Sequence, residues 1–158
     1  MAKQTGPINL SDSFEKIPVK IFPNQTDGSA YAARQVGDFI REKQTKKEKC
    51  VLGLATGSTP KSFYKELARL HKEEKLSFKN VITFNLDQYY PIDNDALQSY
   101  HRFMRVNLFD HIDINPKNIH IPDGEINTSR ILDHLFILTA MVFYIFFIDF
   151  PIRDMNVF

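Results

Sequence analysis

Cysteine occurs once in the 158-residue chain, at Cys50. No disulfide can form within it, and a reducing, cytoplasmic setting is expected. Net charge is almost absent: 20 Lys and Arg oppose 19 Asp and Glu, a formal +1. That balance supplies no overall attraction to nucleic acid, and no nucleic-acid partner is expected. Met1–Leu10 holds one Lys and no apolar run, so it does not read as a secretory signal. No internal repeat is visible. Lysine disappears after Lys117, whereas six of the 14 Phe lie beyond residue 129. With 43% hydrophobic and 25% charged residues, the composition excludes a disordered chain, and the length suits one domain better than two.

What is present alternates between two periods. Residues 17–22 predict a short strand, with Pro18 pushing it to an edge or start. Asp27-Gly28-Ser29 offers a helix start, followed by Ala30, Ala33, Gly37 and Ile40 at helical spacing. The Lys-rich stretch 43–49 reads as the solvated end of that helix. Residues 50–55 form a continuous apolar run, predicting a strand buried on both faces. After Thr56-Gly57-Ser58-Thr59, Pro60 suits a first helical position with Thr59 as its cap. Phe63, Leu67 and Leu70 mark the buried stripe of that helix, which should run to about Lys75. Residues 81–86 predict another strand, 97–109 a helix through Leu97, Tyr100, Met104 and Leu108, and 119–121 a last short strand. Strands alternating with helices imply an α/β fold with a mainly parallel sheet.

The end of the chain differs. Leu135–Ile148 is a run of 14 residues without a charge or a clear helical period. A membrane-crossing helix needs about 20 apolar residues, so the run is short for an anchor. Its other readings are a buried helix or strand, or a segment of foreign origin such as an out-of-frame or fused piece.

Two places can carry chemistry. The turn Thr56–Thr59 joins a strand to a helix, where exposed N–H groups, a glycine and hydroxyl donors suit an anion such as phosphate. It has neither the Gly-Lys-Ser/Thr ending of a nucleotide loop nor GxGxxG spacing, and an ordinary strand–helix turn would look the same. Asp87 closes the next strand, and in an open α/β sheet ligands lie beyond the carboxyl ends of strands. A carboxylate there suits general-base work next to a carbonyl, with an Asx-turn or helix cap as the competing role. His101 and His111 read as surface or capping residues. Neither has a second histidine at a metal-binding spacing.

These residues carry a resemblance. Cys50–Pro60, Leu76–Asp87, Ser99–Met104 and Leu108–Asp113 look like the corresponding blocks of glucosamine-6-phosphate deaminases. The resemblance covers residues 17–125 and implies a Rossmann-like parallel sheet flanked by helices, truncated to the amino-terminal half of the catalytic domain. It implies conversion of glucosamine 6-phosphate and water to fructose 6-phosphate and ammonia, with no metal or organic cofactor. By motif, Thr56, Gly57, Ser58 and Thr59 would contact the sugar phosphate, and Asp87 would move the proton between C2 and C1. The family usually has Glu where this chain has Gln88. Its Gly-His and Asn-Glu-Pro loop, expected after Gly124, does not occur in the sequence, and His134 is no substitute. The implied organisation is an extension (1–16), an incomplete deaminase/isomerase-like domain (17–128) and an unrelated apolar tail (129–158). Sugar phosphate is the implied partner, with a homo-oligomer possible in form. The alternative readings are an inactive chain that binds sugar phosphate or pairs with full-length subunits, and a 6-phosphogluconolactonase-like hydrolase.

Overall fold

The computed structural model of the protein describes residues 8–9 and 19–125. Strand β1 (Ile8–Asn9) pairs antiparallel with β2 (Lys20–Ile21), Ile8 facing Ile21 and Asn9 facing Lys20. The strand expected over 17–22 is thus confined to two paired residues where it is described. Pro18 and the apolar run 135–148 lie outside the described residues, as does His134.

Helix α1 (Gln25–Thr45) begins earlier than its Asp27-Gly28 signal suggests. Asn24, in extended conformation, is the cap: its side-chain oxygen accepts from the Asp27 N–H at 2.9 Å. Asp27 in turn accepts from the Asn24 amide at 3.0 Å, closing a reciprocal cap that puts a carboxylate at the helix's positive end. Ala33, Gly37 and Ile40 form the buried stripe. An added Cβ on Gly37 would lie 3.3 Å from both Leu70 Cδ1 and Leu76 Cδ2. This glycine therefore allows α1 to approach its neighbour closely.

Strand β3 (Cys50–Leu54), helix α2 (Lys61–Glu74) and strand β4 (Val81–Asn85) form a βαβ unit. β3 and β4 run parallel with Cys50 opposite Val81 and Leu54 opposite Asn85. Strand β5 (Ile119–His120) adds parallel to β4, giving the order β3-β4-β5. Helix α2 ends as predicted, with Lys75 in the left-handed region at φ 59°. Its start differs from expectation. Pro60 itself lies at the cap position in helical conformation, and the Thr59 side chain makes no capping bond.

β3 is also less buried than its apolar run implies. Cys50 and Leu54 are buried, Val51 and Leu52 half-buried, and Gly53 exposed. Cys50, Leu52 and Leu54 join the core on one face, and Val51 and Gly53 lie on the other. β4 shows the same alternation: Val81, Thr83 and Asn85 point inward and Ile82 and Phe84 are half-buried. Helix α3 (Tyr100–Asn107) follows, shorter than the predicted 97–109. Ser99 caps it by accepting from the His101 N–H at 3.2 Å, leaving Leu97 outside the helix and 77% exposed. The core gathers Ile40, Tyr64, Leu67, Leu70, Phe78, Val81, Met104 and Leu108 between the helices and the inner sheet face. Among the described residues no helix is long and apolar enough to cross a membrane.

Candidate active site

The paired ends of β3 and β4 decide where the chemistry lies. Leu54 faces Asn85, so the chain leaves the two strands side by side, about 5 Å apart by ordinary sheet spacing. Thr56 and Asp87 each follow two residues later. The parallel register therefore brings the turn Thr56–Thr59 and Asp87 to one edge, the carboxyl end of the sheet.

Side chains from three elements hold the turn by its carbonyls. The Asn85 amide donates to Leu54 O at 2.8 Å across the strands. The buried Tyr64 hydroxyl donates to Ala55 O, and Gln25 at the start of α1 donates to Thr59 O at 3.1 Å. Burial pushes the Tyr64 phenol up to about 12, so it remains a donor at neutral pH. These bonds fix the turn at its two ends, through Leu54 and Ala55 on one side and Thr59 on the other. Among the described residues, the backbone N–H groups of Thr56, Gly57, Ser58 and Thr59 donate no hydrogen bond. Gly57 has φ +95°, a conformation other residues rarely adopt, and nothing within 4 Å of where a Cβ would stand. Gly57, Ser58 and Thr59 are exposed, and Thr56 is half-buried. Free donors on an open, glycine-relieved turn before a helix suit a phosphate group. An open groove of about 450 Å³ runs beside it, bounded by Gln25, Gly28, Ser29, Thr56, Thr59 and Phe63. A larger groove of about 760 Å³, along α2 past Lys65 and Lys72, includes neither the turn nor Asp87. The chemistry of the donors, not the size of the cavity, marks the smaller one.

Asp87 is exposed, and among the described residues its carboxylate accepts no hydrogen bond. Its neighbours are aromatic: the Tyr89 and Tyr100 rings lie 5.0 Å apart. The Tyr89 phenol is pushed up, chiefly by its hydrogen bond with Tyr100 and in small part by the Asp87 charge. His101 and His111 bond away from this edge. His101 Nε2 contacts Pro122 O at 3.1 Å and His111 Nε2 contacts Val106 O at 2.9 Å. Among the described residues no group of His, Cys, Asp and Glu could hold a metal. The anchors Gln25, Tyr64 and Asn85 escaped sequence reasoning. Asn85 breaks the apolar pattern of its strand and was the one available signal; Tyr64 and Gln25 reach the turn only through the fold.

Residues 23–134 match the family of glucosamine-6-phosphate isomerases and 6-phosphogluconolactonases. The chain belongs to this family. A glucosamine-6-phosphate deaminase-like protein of Bacteroides thetaiotaomicron is 44% identical over 120 residues, covering 76% of this chain and 18% of that protein. Glucosamine-6-phosphate deaminase of Treponema denticola is 54% identical over 99 residues, covering 62% of this chain and 37% of the enzyme. The solved structure of a monomeric glucosamine-6-phosphate deaminase superposes with a TM-score of 0.67 at 37% identity. It covers 75% of this chain and 48% of that one, so the family member described above spans about half that enzyme or less. The Rossmann-like α/β fold is common to both over the matched part.

Proposed function

We propose that this chain binds glucosamine 6-phosphate and carries the proton-transfer part of a deaminating isomerase. The phosphate would sit on the N–H groups and hydroxyls of Thr56, Gly57, Ser58 and Thr59. Asp87 would act as the base. The observation that carries this reading is the turn itself: among the described residues its N–H groups donate no hydrogen bond, and it lies on the same sheet edge as the Asp87 carboxylate, which accepts none.

The proposed reaction uses that placement as follows. In the open-chain sugar the C2 proton is acidified by the C1 aldehyde. Asp87 takes it, an enol forms, and the proton returns at C1. C2 then becomes an imine, water adds to it, and ammonia leaves with fructose 6-phosphate as the product. One water enters for each ammonia released, and no electrons are exchanged. The organisation proposed is the domain 17–128 with separate flanks 1–16 and 129–158, working in the cytoplasm as a single chain or paired with another copy.

A second reading has its own observation: Asp87 is exposed, and no described residue bonds its carboxylate. In that reading the chain binds the sugar phosphate without turning it over. An ammonia-release assay with glucosamine 6-phosphate, run beside calorimetric binding, separates the two. Turnover that falls about 10²–10⁴-fold in Asp87→Asn supports the enzyme. Saturable binding without turnover supports the binding protein. Absence of binding contradicts both.

A further inference from the structure

Asp87 has a difficulty as a base: it is exposed, and no described residue bonds its carboxylate. Something else must hold its position. The next residue, Gln88, does three things at once. Its side-chain oxygen accepts from the Tyr89 N–H at 3.0 Å and from the Tyr100 N–H at 3.0 Å. Its side-chain nitrogen donates to Ser99 Oγ at 3.0 Å. Ser99 is fully buried and also caps α3 through the His101 N–H. α3 is in turn seated in the core by Met104 and followed by Leu108, which are 0% and 1% exposed. A continuous path therefore links the backbone beside Asp87 to the core. We propose that Gln88 is a positioning residue, a latch that fastens the Asp87 loop to the start of α3; this rests on the reading of Asp87 as the base.

The far end of the loop is fastened independently. The Ile92 N–H donates to Gly124 O at 3.0 Å, and the Asn94 N–H donates to Glu125 Oε1 at 3.0 Å. An added Cβ on Gly124 would come within 2.4 Å of Ile92 Cγ2 and 2.7 Å of Tyr89 O. With that end fixed, Gln88 controls the remaining freedom at the Asp87 end. The chemistry also explains how Gln and Glu can exchange here. A carboxylate can accept the same two N–H groups and take a hydrogen bond from the Ser99 hydroxyl, with that bond reversed in direction. A leucine of similar size can do none of these.

The test compares Gln88→Leu with Gln88→Glu by amide hydrogen exchange, residue by residue. Exchange at Tyr89 and Tyr100 should accelerate about tenfold in Gln88→Leu, as expected for one lost hydrogen bond each, and return close to the unmodified rate in Gln88→Glu. Exchange at Leu70 and Val81 should not change. Where the chain turns over, kcat should fall about tenfold in Gln88→Leu with KM for glucosamine 6-phosphate unchanged, and Gln88→Glu should restore it. Should Gln88→Leu fail to fold, Ser99→Ala removes the partner of the Gln88 nitrogen, and Tyr89 exchange should again accelerate. Unchanged exchange at Tyr89 in the folded variants, or no recovery in Gln88→Glu, overturns the latch. Failure of the unmodified chain to bind glucosamine 6-phosphate overturns the functional reading instead, and the exchange data still decide the latch.

Discussion

Between α1 and α2, Leu67 and Leu70 of one helix and Ala33, Gly37 and Ile40 of the other share one apolar core, and Arg34 and Arg41 of α1 pair with Glu74 of α2 only at its partly exposed rim. At the carboxyl edge of the sheet, a few residues away, Ala55, Gly57, Ser58, Thr59 and Asp87 are all exposed. That edge keeps its shape through directed bonds from Asn85, Tyr64, Gln25 and Gln88. Apolar packing is strong but tolerant of small slides; hydrogen bonds are weaker but fix direction. The difference shows how one small α/β unit can leave backbone donors open for a ligand without losing the geometry of the turn that presents them.

The comparison can be broken most forcefully from the packed side. Leu70→Ala, at a fully buried position, should cost about 2–5 kcal/mol in chemical denaturation. It should leave the affinity of the remaining folded protein for sugar phosphate unchanged. A matching loss of affinity would mean that packing, not the polar anchors, shapes the turn.

Asp113 tests a polar anchor inside the packed region. Burial raises its pKa, but the Phe78 N–H at 2.5 Å, the Ser77 hydroxyl at 2.8 Å and His71 outweigh that, so its carboxyl titrates below the usual range. A lowered folded-state pKa means the stabilisation is complete above the unfolded value of about 3.9 and is lost as pH falls through the folded value. Asp113→Ala should therefore cost about 1–3 kcal/mol at pH 7, with the difference from the unmodified chain shrinking below about pH 4.

Tyr64 belongs to both regions, its ring in the core and its hydroxyl on Ala55 O. Tyr64→Phe should cost about 0.5–1.5 kcal/mol, yet weaken phosphate-sugar binding measurably, because the turn loses a fixed carbonyl. The pH sign is opposite to that of Asp113. The phenol is raised to about 12, so its contribution is full below the unfolded value of about 10 and declines as pH rises toward 12. The phenylalanine variant should lack that alkaline decline in thermal melts.

The smallest effect concerns Thr83, whose buried hydroxyl has no partner among the described residues. Thr83→Val keeps the shape and removes the unpaired group, so stability should rise by up to about 1 kcal/mol with binding unaltered.

Most of the scaffold was legible in the sequence because apolar runs and helical stripes report packing directly. The strands at 50–54 and 81–85 and the helix stripe through Leu67 and Leu70 follow that logic, although Tyr64 rather than Phe63 is its buried aromatic, and Asp87 and the Thr56–Thr59 turn fell on the predicted edge. Errors cluster where local polar bonds choose between neighbouring options. Asn24 rather than Asp27 starts α1, Ser99 excludes Leu97 from α3, and Thr59 leaves α2 uncapped because Pro60 is already helical. The anchors were hidden for another reason. Gln25 reaches Thr59 across 34 positions, and Asn85 reaches Leu54 across 31, distances at which no spacing rule operates. Gln88 read as a missing carboxylate beside Asp87; its amide turns out to join two elements.

The central claim is that the unused N–H groups of one turn receive a phosphate. Amide chemical shifts of Thr56–Thr59, followed by NMR during titration with glucosamine 6-phosphate and, separately, with glucosamine, test it most directly. Saturable shifts at Gly57, Ser58 and Thr59 with the phosphorylated sugar, and none with glucosamine, are the predicted result. No response at the turn, or the same response to both sugars, would contradict it.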